Sequence, residues 1–221
     1  MTAGARSGAS TPWSEVHLPQ GVLLRDIGVD DAPGLHRVHA DPRVYAHDPS
    51  ETHPHIEYTR AFLAPFRAHW VDHGFGYWTV LAPEPWWPSG VAGPRACDQG
   101  RRIAGLGGVQ DFDLQGVGVL NVYFRLAPQV HGRGLGTLVL RAALTCAAAV
   151  RPHLDVIVRT RPANVAARRT AERVGFVDEG TVPGDTTMQL LRYRAADAMP
   201  HDEQERATSS RVMGGSTCLH L

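Results

Sequence analysis

Lysine is absent from this chain of 221 residues, and all 22 basic side chains are arginine. A GC-rich coding bias accounts for the preference, but the chemical consequence does not depend on its origin. Without lysine there is no Schiff-base residue for pyridoxal phosphate, no Walker lysine and no kinase lysine. Cysteine is scarce too. Cys97, Cys146 and Cys218 form no C-x-x-C pair, which excludes a disulfide framework or zinc knuckle and fits a reducing, cytoplasmic location. No apolar run approaches the roughly 18 residues of a membrane span, so no membrane partner is expected. The opening "MTAGARSGASTPWSEVHLPQG" lacks the apolar core of a secretory signal. Net charge is also missing: 22 acidic residues balance 22 basic ones, which leaves no field to gather nucleic acid.

What is present is an ordinary globular composition, 43% hydrophobic, enough to bury one medium core. Residues 1–20 and 196–221 are small and polar or lack a sustained period, and read as flexible tails around one domain, 21–195. Within it, "GVLLRDI" reads as a strand and "DDAPGLHRVHADP" as a capped helix. "ETHPHIEYTRAFLAPFRAHWVDHG" has helical spacing that Pro65 should kink or divide. "GFGYWTVLAP" is a strand, and "EPWWPSGVAGPRACDQG" a Pro/Gly-rich loop. "RRIAGLGGVQDF" and "VGVLNVYFRLAP", joined near "DLQG", look like antiparallel neighbours in a meander. A helix with Leu135, Leu138, Val139, Ala142, Cys146 and Val150 on one face runs to Pro152. The strand "LDVIVRT", a helix from Asn164 to Gly175 and the strand "TTMQLLRYR" complete the order. The fold class is α+β: a mixed, mostly antiparallel sheet flanked by helices.

The stretch "NVYFRLAPQVHGRGLGTLVLRAAL" passes from strand to helix through a glycine-rich turn. The unpaired N–H groups of a helix start, with about half a positive charge behind them, form an anion site. Gly132, Gly134 and Gly136 remove side chains where a ligand would approach, and Arg133 can add a charge-assisted bond. A helix start that holds no ligand is the plain alternative. A Walker loop fails for want of lysine. A Rossmann loop fails because Thr137 stands where the third glycine is due, Asp155 lies at the wrong end of its strand, and only about 40 residues of the domain follow it.

"PQVHGRGLG" resembles the Q/R-x-x-G-x-G/A acetyl-CoA motif of the GNAT N-acetyltransferase superfamily, matched by Gln129, Gly132 and Gly134 with Gly136 following. "NVAARRTAERVGF" is similar to that superfamily's second element, with Asn164, Gly175 and Phe176 at its marked positions. The resemblance covers roughly Val22 to Arg194. "LLRDIGVDDAPGLHRVHADPRV" and "FRAHWVDHGFGYWTV" resemble the branch that includes ribosomal-protein alanine N-acetyltransferases. It implies acetyl transfer from acetyl-CoA, with no metal, to a primary amine of a small molecule or a protein N-terminus. It also implies that the pantetheine arm pairs with the strand end at Phe124 and Leu126, where two strands splay apart. The pyrophosphate would rest on the N–H groups of Val130, His131, Gly132, Arg133, Gly134, Leu135, Gly136 and Thr137, with Asn164 touching the pantetheine arm. Dimers are common in the family, which leaves a homodimer open.

The catalytic positions depart from the family pattern. Many members carry a general-acid Tyr four residues before the helix-ending glycine, and that position is Ala171 here; the branch's frequent Glu is Asn121. Asn121 and Tyr123 are therefore the catalytic candidates, with Glu172 a third, and a degenerate domain that binds a CoA ester as sensor or scaffold is the rival. His36/His39 and His69/His73 have metal-like helical spacing, but no acid or cysteine completes either set in sequence, so they are expected on solvated faces. Tyr77, Trp78, Trp86 and Trp87 could line an acceptor groove, with core packing as the alternative.

Overall fold

The strands expected from β-branched and aromatic runs all form, and two more join them. The computed structural model describes residues 10–89 and 100–195. It runs β1 (Glu15–His17), β2 (Leu23–Arg25), α1 (Ala32–His39), α2 (Ile56–His73), β3 (Tyr77–Pro83), β4 (Arg101–Leu114), β5 (Val117–Leu126), α3 (Leu135–Val150), β6 (Val156–Thr160), α4 (Val165–Glu172), β7 (Val177–Val182) and β8 (Asp185–Tyr193). The strands make one open mixed sheet of eight, ordered β1-β2-β3-β4-β5-β6-β8-β7, with the helices packed around it. Every pairing is antiparallel except that of β5 with β6. Most of the expected Pro/Gly-rich loop, with Cys97, and the expected C-terminal tail, with Cys218, lie outside the described residues. No helix among the described residues is long and apolar enough to cross a membrane.

Two of the sequence expectations need correction in the N-terminal half. The stretch expected to be a tail through residue 20 joins the sheet at β1, where Glu15–His17 pairs with Leu23–Arg25. It is anchored there by the buried indole of Trp78, which donates to the Trp13 carbonyl at 2.7 Å. A three-residue strand leaves no alternation long enough to read. Pro65 does not divide α2, which is continuous from Ile56 to His73. Pro65 and Ala61, whose carbonyl loses its helical partner, are both exposed, so water can satisfy the missing bond.

Polar residues fix the local turns. β4 and β5 are joined through Gln115 and Gly116, with φ of 55° and 83°, the two left-handed residues a tight hairpin of matching twist requires. Asn164 caps α4 by accepting from Ala167 N at 3.2 Å. Asp31 does not cap α1 with its side chain. Its buried carboxylate instead accepts two bonds from Arg25 (2.8 and 2.6 Å), one from Gly28 N (2.8 Å) and one from Thr79 (2.7 Å), tying β2 and β3 to the helix entry.

The core lies on the two faces of β3, β4 and β5. Trp78, Trp86 and Trp87 are buried in it, so they do not line a groove. Each indole N–H finds a carbonyl, at Trp13, Gln20 and Ala82 respectively. Cys146 is buried in α3, and burial pushes its thiol up to about 12, which makes it inert as a nucleophile. β7 was not anticipated because "VDEGTV" shows its exposed residues as a charged edge rather than an apolar alternation.

One glycine sets how closely β5 can lie on β4. Gly105 pairs with Leu126 and has φ of 152°, and a Cβ there would stand 2.0 Å from the Arg125 carbonyl oxygen. Gly105→Ala is expected to destabilise the fold by about 3 kcal/mol through overpacking and backbone strain. Urea unfolding measures this; an unchanged midpoint would show that the β5 end is free to move.

Candidate active site

The only parallel pairing of the described sheet is also its shortest junction around the centre. β5 and β6 are in register from Leu120/Val156 to Val122/Val158 and then part, although β5 continues to Leu126 and β6 to Thr160. A parallel pair requires a crossover, and here the crossover is α3, so the gap opens beside the N-terminus of that helix. Between β5 and α3 the chain makes a 3₁₀ turn, Pro128–Val130, and then the glycine turn. Gly132 and Gly134 have φ of 74° and 86°, and a Cβ at either would meet nothing within 4 Å. These glycines therefore serve the turn and leave open space above it. No side chain caps α3, and its first internal bond runs from Leu138 N to Gly134 O. The N–H groups of Leu135, Gly136 and Thr137 thus lack helical partners, as a helix start dictates.

A groove of about 530 Å³ runs along this turn, within the range of small-molecule sites. Phe124, Leu126, Val130, His131, Gly132, Gly134, Leu135, Gly136, Thr137 and Asn164 all line it. Gln129 and Arg133 do not. Arg133 reaches away from the groove and donates to the Pro85 carbonyl at 2.7 Å. The N–H groups of Val130 and His131 are consumed by Ala127 O and Pro128 O in the 3₁₀ turn. The donor row thus narrows from the expected Val130–Thr137 to 132–137. The carbonyls of Phe124 and Leu126 face away from β4 and are met by Arg125 (3.3 Å) and the His131 ring (2.8 Å). Arg43, Arg125, Arg169, Arg173, His47 and His131 line the groove and no acid does. Sequence reasoning missed Arg169 and Arg173, although their i, i+4 spacing after Asn164 is a readable signal of a shared face.

A second recess fills the gap between the parted strands, lined by Asn121, Tyr123, Arg125, Arg159, Tyr45 and Glu51 among others. Asn121 is buried and its amide nitrogen donates to the Tyr77 hydroxyl at 2.8 Å, while its Oδ1 has no partner among the described residues. A buried acceptor left open is costly, so it marks a place for a donor. The Tyr45 hydroxyl is hydrogen-bonded to His39 Nδ1 at 2.6 Å. Burial holds Tyr123 well above the usual tyrosine range and raises Tyr45 as well. The Arg125 guanidinium lies 5.1 Å from the Tyr123 ring and 5.3 Å from the Tyr45 ring. Tyr45 had no periodic signature in sequence, because it ends a 3₁₀ turn.

Sequence and structure comparisons place this geometry. The profile of the "Acetyltransferase (GNAT) domain" matches residues 22–177. The chain belongs to the GNAT acetyltransferase family. Among solved structures, an acetyltransferase from Agrobacterium tumefaciens is similar at 18% identity and a TM-score of 0.64, covering 86% of this chain and 99% of that one. RimL, a ribosomal L7/L12 alpha-N-protein acetyltransferase in complex with coenzyme A, is similar at 15% identity and 0.58, covering 84% and 99%. The microcin C7 self-immunity acetyltransferase MccE, in complex with acetyl-CoA and AMP, gives 12% identity and 0.59, covering 83% and 97%. At these identities the likeness is one of fold. No curated protein sequence matches the chain.

In this GNAT fold Ala171 is fully buried, so the position of the usual helix tyrosine faces the core rather than the groove. Glu172 is exposed on α4 and lines neither recess. The histidines also differ from the expected solvated faces. His39 is fully buried, stacked on His53 with ring centroids 4.5 Å apart. His53 and His36 each contact the Thr59 hydroxyl at 2.8 Å. His69 and His73 meet Asp111 of β4, an acid that sequence spacing could not supply.

Burial lowers His39 well below the ordinary value of 6.5 and lowers His53 to about 4. The folded state therefore binds fewer protons than the unfolded chain between about pH 4 and 6.5. Stability from this pair is fully present above 6.5 and lost as pH falls toward 4. For His53 the loss is roughly 2–3 kcal/mol. Urea unfolding at pH 7 and pH 4.5 should show it, and His53→Phe should flatten the difference; an equally steep variant would place the pH dependence elsewhere.

Proposed function

We propose that the chain transfers acetyl from acetyl-CoA to a primary amine, at a protein N-terminus or on a small molecule, by direct attack on the thioester. The observation that carries this reading is the cation-lined groove beside the recess between β5 and β6, with Arg125 and Asn164 lining both. The pyrophosphate rests on the free N–H groups of 132–137 with arginines around it, and the thioester reaches the recess lined by Asn121, whose buried Oδ1 has no partner among the described residues. The amine nitrogen attacks the thioester carbon, the C–S bond breaks, and the CoA thiolate takes up a proton.

The groups in the recess favour an amine that arrives neutral. Asn121 can accept a hydrogen bond from the amine but cannot take its proton. Tyr123 keeps its proton at neutral pH and would pass it to the thiolate, the proton shed by the attacking nitrogen then restoring the tyrosine. Asp48 is engaged by Arg161, and Glu51 sits on the exposed rim. An α-amino group, near pKa 7.7 to 8.0, is neutral roughly one time in ten at pH 7, whereas a lysine amine near 10.4 is neutral on the order of once in a thousand. The α-amine is therefore the better acceptor for this recess.

A second reading is supported by the buried Ala171 and the amide at Asn121: a domain that binds a CoA ester without turnover. Release of free CoA thiol over a panel of amines separates the two. Peptides with a free N-terminus should be acetylated at least about tenfold faster than Nα-blocked peptides bearing lysine. Equal rates would overturn the α-amine preference, and no release with any amine would leave the non-catalytic reading.

A further inference from the structure

At the end of β4 away from the groove, about 20 Å along the strand from Gly105, three donor atoms converge that the acetyl-transfer site does not use. α2 carries His69 and His73 one turn apart near its C-terminus, and Asp111 of β4 faces both. His69 Nε2 lies 3.4 Å and His73 Nδ1 3.7 Å from Asp111 Oδ2, and all three donors lie within 4.8 Å of one another. Two ligands at 2.0–2.1 Å from a tetrahedral ion are about 3.3 Å apart, so two of the three edges need to contract by only a few tenths of an ångström.

The surrounding contacts have the form that metal-bound imidazoles use. His69 Nδ1 donates to the Phe75 carbonyl at 2.8 Å, which fixes the ring and leaves the Nε2 lone pair facing the cluster. That lone pair is met only by the Asp111 backbone N–H at a long 3.3 Å. Arg151 holds Asp111 by two bonds, of 3.1 and 3.2 Å, and is itself held over the Phe75 ring. Its charge tempers cation affinity while fixing the carboxylate. The His73 side chain is 40% exposed, so an ion can enter from solvent.

We propose that His69 Nε2, His73 Nδ1 and Asp111 Oδ2 form a binding site for a divalent transition metal of the zinc class, with water in the fourth position. Two imidazoles and one carboxylate suit zinc, nickel or copper rather than magnesium or calcium, which prefer oxygen ligands. The site is structural: the ion clamps the C-terminus of α2 to the middle of the sheet, and neither recess of the acetyl-transfer site contains any of its ligands.

Equilibrium dialysis of the full-length, EDTA-stripped protein against micromolar zinc chloride tests this, with thermal unfolding as a second readout. Wild type should bind one zinc that is weakened at least about tenfold in both His73→Ala and Asp111→Asn and unchanged in His153→Ala, an exposed histidine elsewhere. Zinc should raise the melting temperature of wild type and His153→Ala but not of the two ligand variants. No bound zinc in wild type, or ligand variants that bind and melt as wild type does, would overturn the site and leave the cluster as an ion pair.

Discussion

One strand junction sets the layout of this molecule. β5 and β6 are the lone parallel neighbours among the described strands, and they stay paired for three residues before they part. Parallel pairing obliges the chain to cross over through α3, which puts a helix start with unpaired N–H groups at the mouth of the gap. The groove for an anion and the recess for chemistry are therefore two consequences of one connection. The closeness of β5 to β4 at Gly105 fixes the other wall, since the strand that diverges from β6 must remain pressed against its antiparallel partner.

Charge is distributed on the same plan. A chain with no net charge still concentrates arginine and histidine along the groove and keeps acids out of it. Several acids are spent elsewhere against arginines: Asp31 with Arg25, Asp111 with Arg151, Asp155 with Arg192. At the recess, Tyr45 is hydrogen-bonded to the buried His39, and desolvation keeps the Tyr123 hydroxyl protonated. Buried neutral histidines there are compatible with a wall that must not repel an approaching amine.

Much of the fold was legible because strand and helix periods are strong in this chain. The α3 stripe, the hairpin at Gln115-Gly116 and the Asn164 cap were all readable from residue type and spacing. β1 and β7 were not, being respectively too short and too polar to show alternation. At the site, the glycine turn was legible because only a few loops place glycines so, and lysine's absence removed one of them. Gln129 and Arg133 show the limit: the motif marks the turn but not which way each side chain leaves it. Tyr45, His39 and Asp111 lay beyond sequence reading, because each matters through a partner on another element.

The central claim is that the uncapped start of α3 holds the phosphates of acetyl-CoA. Calorimetric titration of wild type and Gly134→Trp with acetyl-CoA tests it most directly. A side chain at Gly134 enters open space, so the substitution obstructs ligand rather than protein, apart from about 1–2 kcal/mol of left-handed strain that urea unfolding can measure separately. Wild type should bind one equivalent, and the folded variant should lose at least about tenfold in affinity. No binding by wild type, or equal binding by the folded variant, would contradict it.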